Sequence, residues 1–106
     1  MDYAERDALI ARAAQAVGYP GDIRKHQHLR PQCFHLKAAR ALFLQAAYST
    51  GLYSQEEVAK MLGFKCKKQA YILTMKLRQG QFARYMPDGM SGLETAHMIM
   101  QYDRSK

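Results

Sequence analysis

The chain has 106 residues, with 16 Lys and Arg against nine Asp and Glu, for a formal net charge of +7. That length builds one small core, not a catalytic domain joined to a binding domain, and the 48% hydrophobic and 24% charged content is that of an ordinary globular protein. Asp2, Glu5 and Asp7 with no apolar core behind them argue against a secretory signal, and no apolar run reaches membrane-spanning length, so a cytoplasmic protein with free thiols at Cys33 and Cys66 is expected.

From Asp2 to Val17, the residues Leu9, Ala13, Ala16 and Ile10, Ala14, Val17 recur at helical spacing, and Gly18-Tyr19-Pro20-Gly21 is a stop signal. Asp22 is placed to cap a short segment reaching Leu29. Pro31 restricts Arg30 to extended geometry and opens a second long helix, Pro31 to Ser49. That helix is apolar on most sides, with Cys33, Phe34, Leu36, Ala38, Ala39, Ala41, Leu42, Phe43, Leu44, Ala46 and Ala47, and is the expected buried centre; Thr50-Gly51 ends it.

Residues 54–79, SQEEVAKMLGFKCKKQAYILTMKLRQ, predict two short helices joined by a tight turn, a helix-turn-helix. Ser54 with Glu57 forms a capping-box pattern, in which the hydroxyl takes an orphan amide and the carboxylate returns to the cap amide. Val58, Ala59 and Leu62 follow at helical spacing, and Gly63 supplies the left-handed residue that ends the first helix. In the second, Ala70, Leu73 and Leu77 form the inward stripe. Lys67, Lys68, Gln69, Tyr71, Lys76 and Arg78 are left for other faces, an arrangement suited to a major groove. After Gly80 the chain passes Pro87-Asp88-Gly89. Ser91 and Glu94 then repeat the capping pattern and start a C-terminal helix over 91–102. Seven Met and seven Tyr, notably Met86, Met90, Met98, Met100 and Tyr102, serve either the core or a surface for a homodimer or partner protein. The whole reads as a single all-α domain, a bundle of about five helices containing a helix-turn-helix.

The positive charge is regional. Between Ile23 and Pro87 there are 12 Lys and Arg and two acids, Glu56 and Glu57, a local net of +10, whereas both ends are slightly acidic. Basic surfaces condense onto polyanions by releasing counterions, so nucleic acid is the leading expected partner. The two acids fall in the first turn of a helix, where its dipole favours them.

Counting ten residues from the small Ala59 gives Gln69, and the apolar position arrives one later, at Ala70, so the turn is one residue longer than in the common repressor helix-turn-helix. With the preceding KAARALFLQAAYSTGLYSQEEVAKMLG, this resembles the C-terminal DNA-binding domain of the bacterial replication initiator DnaA and, more loosely, the Trp repressor fold, over roughly Val17 to Arg78. The resemblance implies that Ala39-Arg40 matches an Ala-Arg pair opening the long helix, with Arg40 touching phosphate or minor groove. It also implies that IRKHQHLRP is the preceding basic loop, with Arg24, Lys25 and Arg30 on backbone or minor groove. Lys65-Cys66-Lys67-Lys68-Gln69-Ala70 stands where that family carries an Asp-His-Thr-type signature, so different base-reading residues are implied.

The candidate DNA contacts are therefore Arg24, Lys25, Arg30, Arg40, Ser54, Gln55, Lys65, Lys67, Lys68, Gln69, Tyr71, Lys76 and Arg78. No catalytic constellation is present: there is no Gly-rich phosphate loop and no nucleophile with an evident base. His26, His28, Cys33 and His35 invite a metal, but Cys33 and His35 lie two apart at a helix start, diverging by about 200°, and the Cys-x-x-Cys knuckle is missing. Neither metal nor cofactor is expected. The sequence thus predicts a double-stranded DNA-binding regulator of transcription or replication, of bacterial, plasmid or phage origin. The alternatives are a module binding an acidic partner protein, or RNA binding.

Overall fold

The structure, a computed structural model, describes residues 3–24, 33–51 and 53–101. Among these are five α-helices and no strand: α1 Tyr3–Ala16, α2 Cys33–Thr50, α3 Gln55–Met61, α4 Lys67–Arg78 and α5 Gly92–Gln101. Two 3-10 turns, Ala83–Tyr85 and Pro87–Gly89, lie between α4 and α5. The expected all-α bundle is what forms. No helix among the described residues is long and apolar enough to cross a membrane.

The centre is α2, which packs against each of the other four helices. Its residues from Ala38 to Leu44 are all buried, with Leu42, Phe43 and Leu44 wholly so. Alanines at 38, 39, 41, 46 and 47 let neighbouring backbones approach closely on several sides, and the larger side chains fill between them. The expected apolar run does not hold at its start: Phe34 is 65% exposed, with the Lys37 ammonium 5.6 Å from its ring centroid. Residues 25–29 of the expected Asp22–Leu29 segment, Pro31 and the Cys33 side chain lie outside the described residues. Asp22 itself closes a local turn, its Oδ1 accepting from the Arg24 amide at 2.9 Å.

Helix α1 buries Leu9, Ile10, Ala13 and Ala14, with Val17 buried just past its end, and packs on α2 and α5. Arg12 Nε donates to the Ile99 carbonyl at 2.8 Å, so a cation from α1 is tied to the backbone of α5. At the other end of α5 the capping box is complete. The Ser91 hydroxyl accepts from the Glu94 amide and the Glu94 carboxylate accepts from the Ser91 amide, both at 3.1 Å.

The connection from α4 to α5 is anchored, not free: Phe82 and Met86 are buried, and Asp88 takes φ +44 ahead of Gly89 in the turn that aims the chain back. Gly92, the first residue of α5, then lies directly on the end of α4. A Cβ there would sit 2.5 Å from Leu77 Cγ and 3.1 Å from the Leu77 carbonyl oxygen, closer than real contacts allow. Helix propensity alone favours alanine over glycine at such a position. The contact reverses that preference, so Gly92→Ala is expected to destabilise by about 1–3 kcal/mol, as overpacking does. Urea unfolding checks this, and a raised midpoint would show that α4 and α5 have room between them.

Candidate nucleic-acid interface

Helix α3 begins where the sequence predicts. Ser54 is its N-cap, with extended backbone, and its hydroxyl accepts from the Glu57 amide at 3.1 Å. The reciprocal half of the expected capping box is different: Glu57 Oε1 accepts from the Ser54 hydroxyl at 3.3 Å rather than from the cap amide. Val58 and Ala59 are buried and Gln55 is exposed.

The turn from α3 to α4 is set by backbone bonds. The Gly63 amide donates to the Lys60 carbonyl at 3.0 Å and the Phe64 amide to the Ala59 carbonyl at 2.9 Å, the paired bonds of a Schellman motif. The motif needs a left-handed residue, and Gly63 has φ +81. No heavy atom approaches the place a Cβ would occupy, so conformation, not space, demands glycine here.

Helix α4 buries Ala70, Leu73, Thr74 and Leu77 against the bundle, which includes the predicted stripe. Thr74 was not anticipated there; its hydroxyl is satisfied by donating to the Tyr71 carbonyl at 2.7 Å. The other positions face outward: Lys67, Lys68, Gln69, Tyr71 and Arg78 are exposed and Lys76 is half-buried. No acid occurs in α4. Tyr71 lies under the Arg78 guanidinium, 5.6 Å from ring centroid to Cζ, so the pair forms one exposed cationic and aromatic unit.

Two expected contacts have local employment. Gln69, proposed to read a base, uses Oε1 to accept from the Lys65 amide at 3.3 Å and so caps the turn into α4, whose N-cap residue Cys66 makes no side-chain cap bond. Lys67 Nζ lies 3.9 Å from Glu56 Oε1, an exposed pair of small energetic weight. These two residues, with Ala59, Lys60, Phe64, Lys65 and Cys66, line a shallow cleft of about 330 Å³ between α3 and the start of α4. Lys60 is the cation that sequence reasoning missed. It is exposed opposite the Val58, Ala59 and Leu62 stripe, and that helical spacing was the available signal.

Of the basic loop expected to grip the backbone, the described residues are Ile23 and Arg24. Arg24 is held by Asp22, Nη2 to Oδ2 at 2.9 Å and Nε to Oδ1 at 3.1 Å, and reaches Asp7 at 3.3 Å. The hydrogen bonds to Asp22 hold the Arg24 guanidinium pKa above its ordinary value, so its charge is permanent but already matched by carboxylates. Arg40 is buried, only 8% exposed, and donates from Nε to the Ile23 carbonyl at 2.7 Å. Its guanidinium also lies 5.6 Å from the Phe64 ring centroid. The surface role expected of Arg40 therefore gives way to an internal one, tying α2 to the chain after α1 and to the α3–α4 turn. Lys25 and Arg30 lie outside the described residues.

The remaining sequence features settle into packing. His35 Nε2 is 2.6 Å from the Val17 carbonyl oxygen, and its ring stacks on Tyr85 with a centroid separation of 5.0 Å and meets Tyr19 edge-on at 5.3 Å. His26 and His28 lie outside the described residues, and Cys66 is a free, exposed thiol. Of the Met-rich segment, Met86 is buried, Met90 and Met100 are partly covered and Met98 is exposed; Tyr102 lies outside the described residues. The chain matches no protein-family model, no curated protein and no solved structure.

Two substitutions separate the internal from the external cations. Arg40→Ala removes a charge-assisted bond inside the bundle and is expected to cost about 1.5–3 kcal/mol. Lys68→Ala, on a solvated face, should stay within about 0.5 kcal/mol. Denaturant midpoints give the comparison, and equal values would deny Arg40 its structural part. At the turn, Gly63→Val should cost at least about 1–2 kcal/mol, because a β-branched residue resists the left-handed region. A thermal melt superimposing on the parent would mean that the turn adopts another conformation.

Proposed function

We propose that the chain binds double-stranded DNA, with α3 and α4 acting as a helix-turn-helix and α4 lying in the major groove, and that it serves regulation of transcription or replication. The single observation that carries this reading is the surface of α4. Its Ala70, Leu73 and Leu77 stripe is consumed by the bundle, and the remaining positions carry Lys67, Lys68, Lys76 and Arg78 without an acid. An element of that kind repels other cationic surfaces and attracts a polyanion over its whole length.

Lys60 and Lys65, on α3 and in the turn, extend the basic surface beyond α4. In the proposed complex these lysines take phosphates flanking the groove, while exposed Ser54 and Gln55 at the start of α3 are further backbone contacts. The likeness in sequence to the initiator DNA-binding domain supports the same arrangement of helices on DNA. It does not extend to Arg40, whose guanidinium is engaged inside the fold.

Selection of bound duplexes from a random-sequence pool at physiological salt tests binding and sequence preference together. Six described cations line the α3–α4 surface: Lys60, Lys65, Lys67, Lys68, Lys76 and Arg78. If each neutralises a phosphate, the slope of log affinity against log salt concentration is expected to be about −5. Lys67→Ala and Lys68→Ala should each weaken all duplexes alike and reduce the slope by about one. A slope near zero would eliminate electrostatic DNA binding, and capture of an acidic protein with no duplex preference would favour the partner-binding alternative.

A further inference from the structure

Helix α4 carries two large apolar side chains that the bundle does not use. Ile72 is 41% exposed and Met75 is 39% exposed. At 100° per residue, Lys68, Ile72, Met75 and Gln79 form one row on α4, directly opposite the buried Ala70, Leu73, Thr74 and Leu77. One edge of this row is Lys67, Tyr71 and Arg78; the other is Gln69 and Lys76. The outermost line of the helix is thus apolar in its middle, with Lys67 and Arg78 along one side and the half-buried Lys76 on the other.

This arrangement restricts what can cover it. A surface that buries Ile72 and Met75 must also meet Lys67 and Arg78 on one edge and Lys76 on the other, so it is best matched by anionic groups at two rims with apolar groups between them. A major groove has that form, with phosphates along both walls and the C5-methyl groups of thymine projecting from its floor. Its width of about 12 Å admits a helix. A flat acidic protein surface would satisfy the lysines and leave the apolar row against charge. Gln69, a polar candidate for base contact, already uses its Oε1 to accept from the Lys65 amide, which works against a bidentate pairing with adenine.

We infer that Ile72 and Met75 are the specificity-determining residues of α4, reading thymine methyl groups by apolar contact while the flanking cations hold phosphates. This rests on the DNA-binding reading above and commits it to a class of site, one with thymines at the centre of the contacted groove. The cations attract any sequence, and the apolar row discriminates among sequences by whether a methyl group meets it.

Uracil differs from thymine only by lacking that methyl group, which gives a direct test. Duplexes recovered from the random-sequence pool are prepared with thymine and again with individual thymines replaced by uracil, and affinities are measured at one salt concentration for the parent, Ile72→Ala and Met75→Ala. Both variants alter exposed side chains, and thermal melts confirm that they fold. The parent should lose about fourfold in affinity per contacted methyl removed, the loss expected for taking one such group out of apolar contact. At the thymine its residue reads, each alanine variant should be indifferent to the replacement. Equal binding of thymine and uracil duplexes by the parent, with salt-dependent affinity intact, overturns the methyl inference and leaves DNA binding standing. Alanine variants as sensitive to uracil as the parent overturn the assignment to Ile72 and Met75. Absence of duplex binding in every form overturns both this inference and the reading beneath it.

Discussion

A helix with no face left for solvent governs this structure. Through the seven residues from Ala38 to Leu44, α2 is buried at every position, whereas a helix at the surface of a domain needs to bury only one stripe. Such a helix is stable only if it is wrapped, and each of the remaining four helices supplies part of the cover. The cover is close because so many contact positions on α2 are alanine, which contributes little bulk and loses no rotamer freedom on burial. Helix α4 can then satisfy its share with four residues, Ala70, Leu73, Thr74 and Leu77, and its basic residues are turned outward by the geometry of 3.6 residues per turn.

The fate of Arg40 follows from the same constraint. On a helix covered all round there is no outward position at 40, so its guanidinium either remains unpaired at a large desolvation cost or finds acceptors inside. It donates to the Ile23 carbonyl at 2.7 Å and faces the Phe64 ring. Those two partners belong to segments without regular structure, the chain after α1 and the turn before α4. Arg40 therefore gives polar definition to connections that helix packing alone would leave loosely specified. An Arg placed on the surface by likeness of sequence is, by burial, a joint between elements.

What was legible in the sequence is what local chemistry decides. Ser54 and Ser91 mark helix starts because capping involves residues three apart, Gly63 marks a helix end because its backbone conformation is intrinsically accessible to glycine, and the Ala70, Leu73 and Leu77 stripe repeats within one helix. Features joining distant segments were not legible. Nothing near Gly92 announces that Leu77 will lie against it, and nothing near Phe82 or Met86 says that an apparently irregular connection is pinned into the core. Phe34 shows the converse error. It belongs by composition to an apolar helix, yet it lies in the first turn of α2, short of the fully covered stretch that begins at Ala38. Gln69 is intermediate: a side chain that caps its own helix start and one that reads a base look alike in sequence, and only the bond to the Lys65 amide separates them.

For the proposed interface, that distinction bears on how affinity and specificity divide. Phosphate contacts are nearly the same for every sequence, so a helix offering only lysines would hold duplexes without choosing among them. Arg40 is internal and Arg24 is paired with Asp22 and Asp7, so two expected backbone contacts are engaged within the fold, while Gln69, the expected base contact, uses its Oε1 to cap the turn. Under the proposed reading, discrimination is then assigned to groups that are exposed on α4 yet indifferent to phosphate. Ile72 and Met75 have that character, and leaving them in water disfavours the free protein by the apolar area they expose. An exposed apolar row beside cations is a poor solution for a free-standing surface and a good one for the proposed surface against a groove.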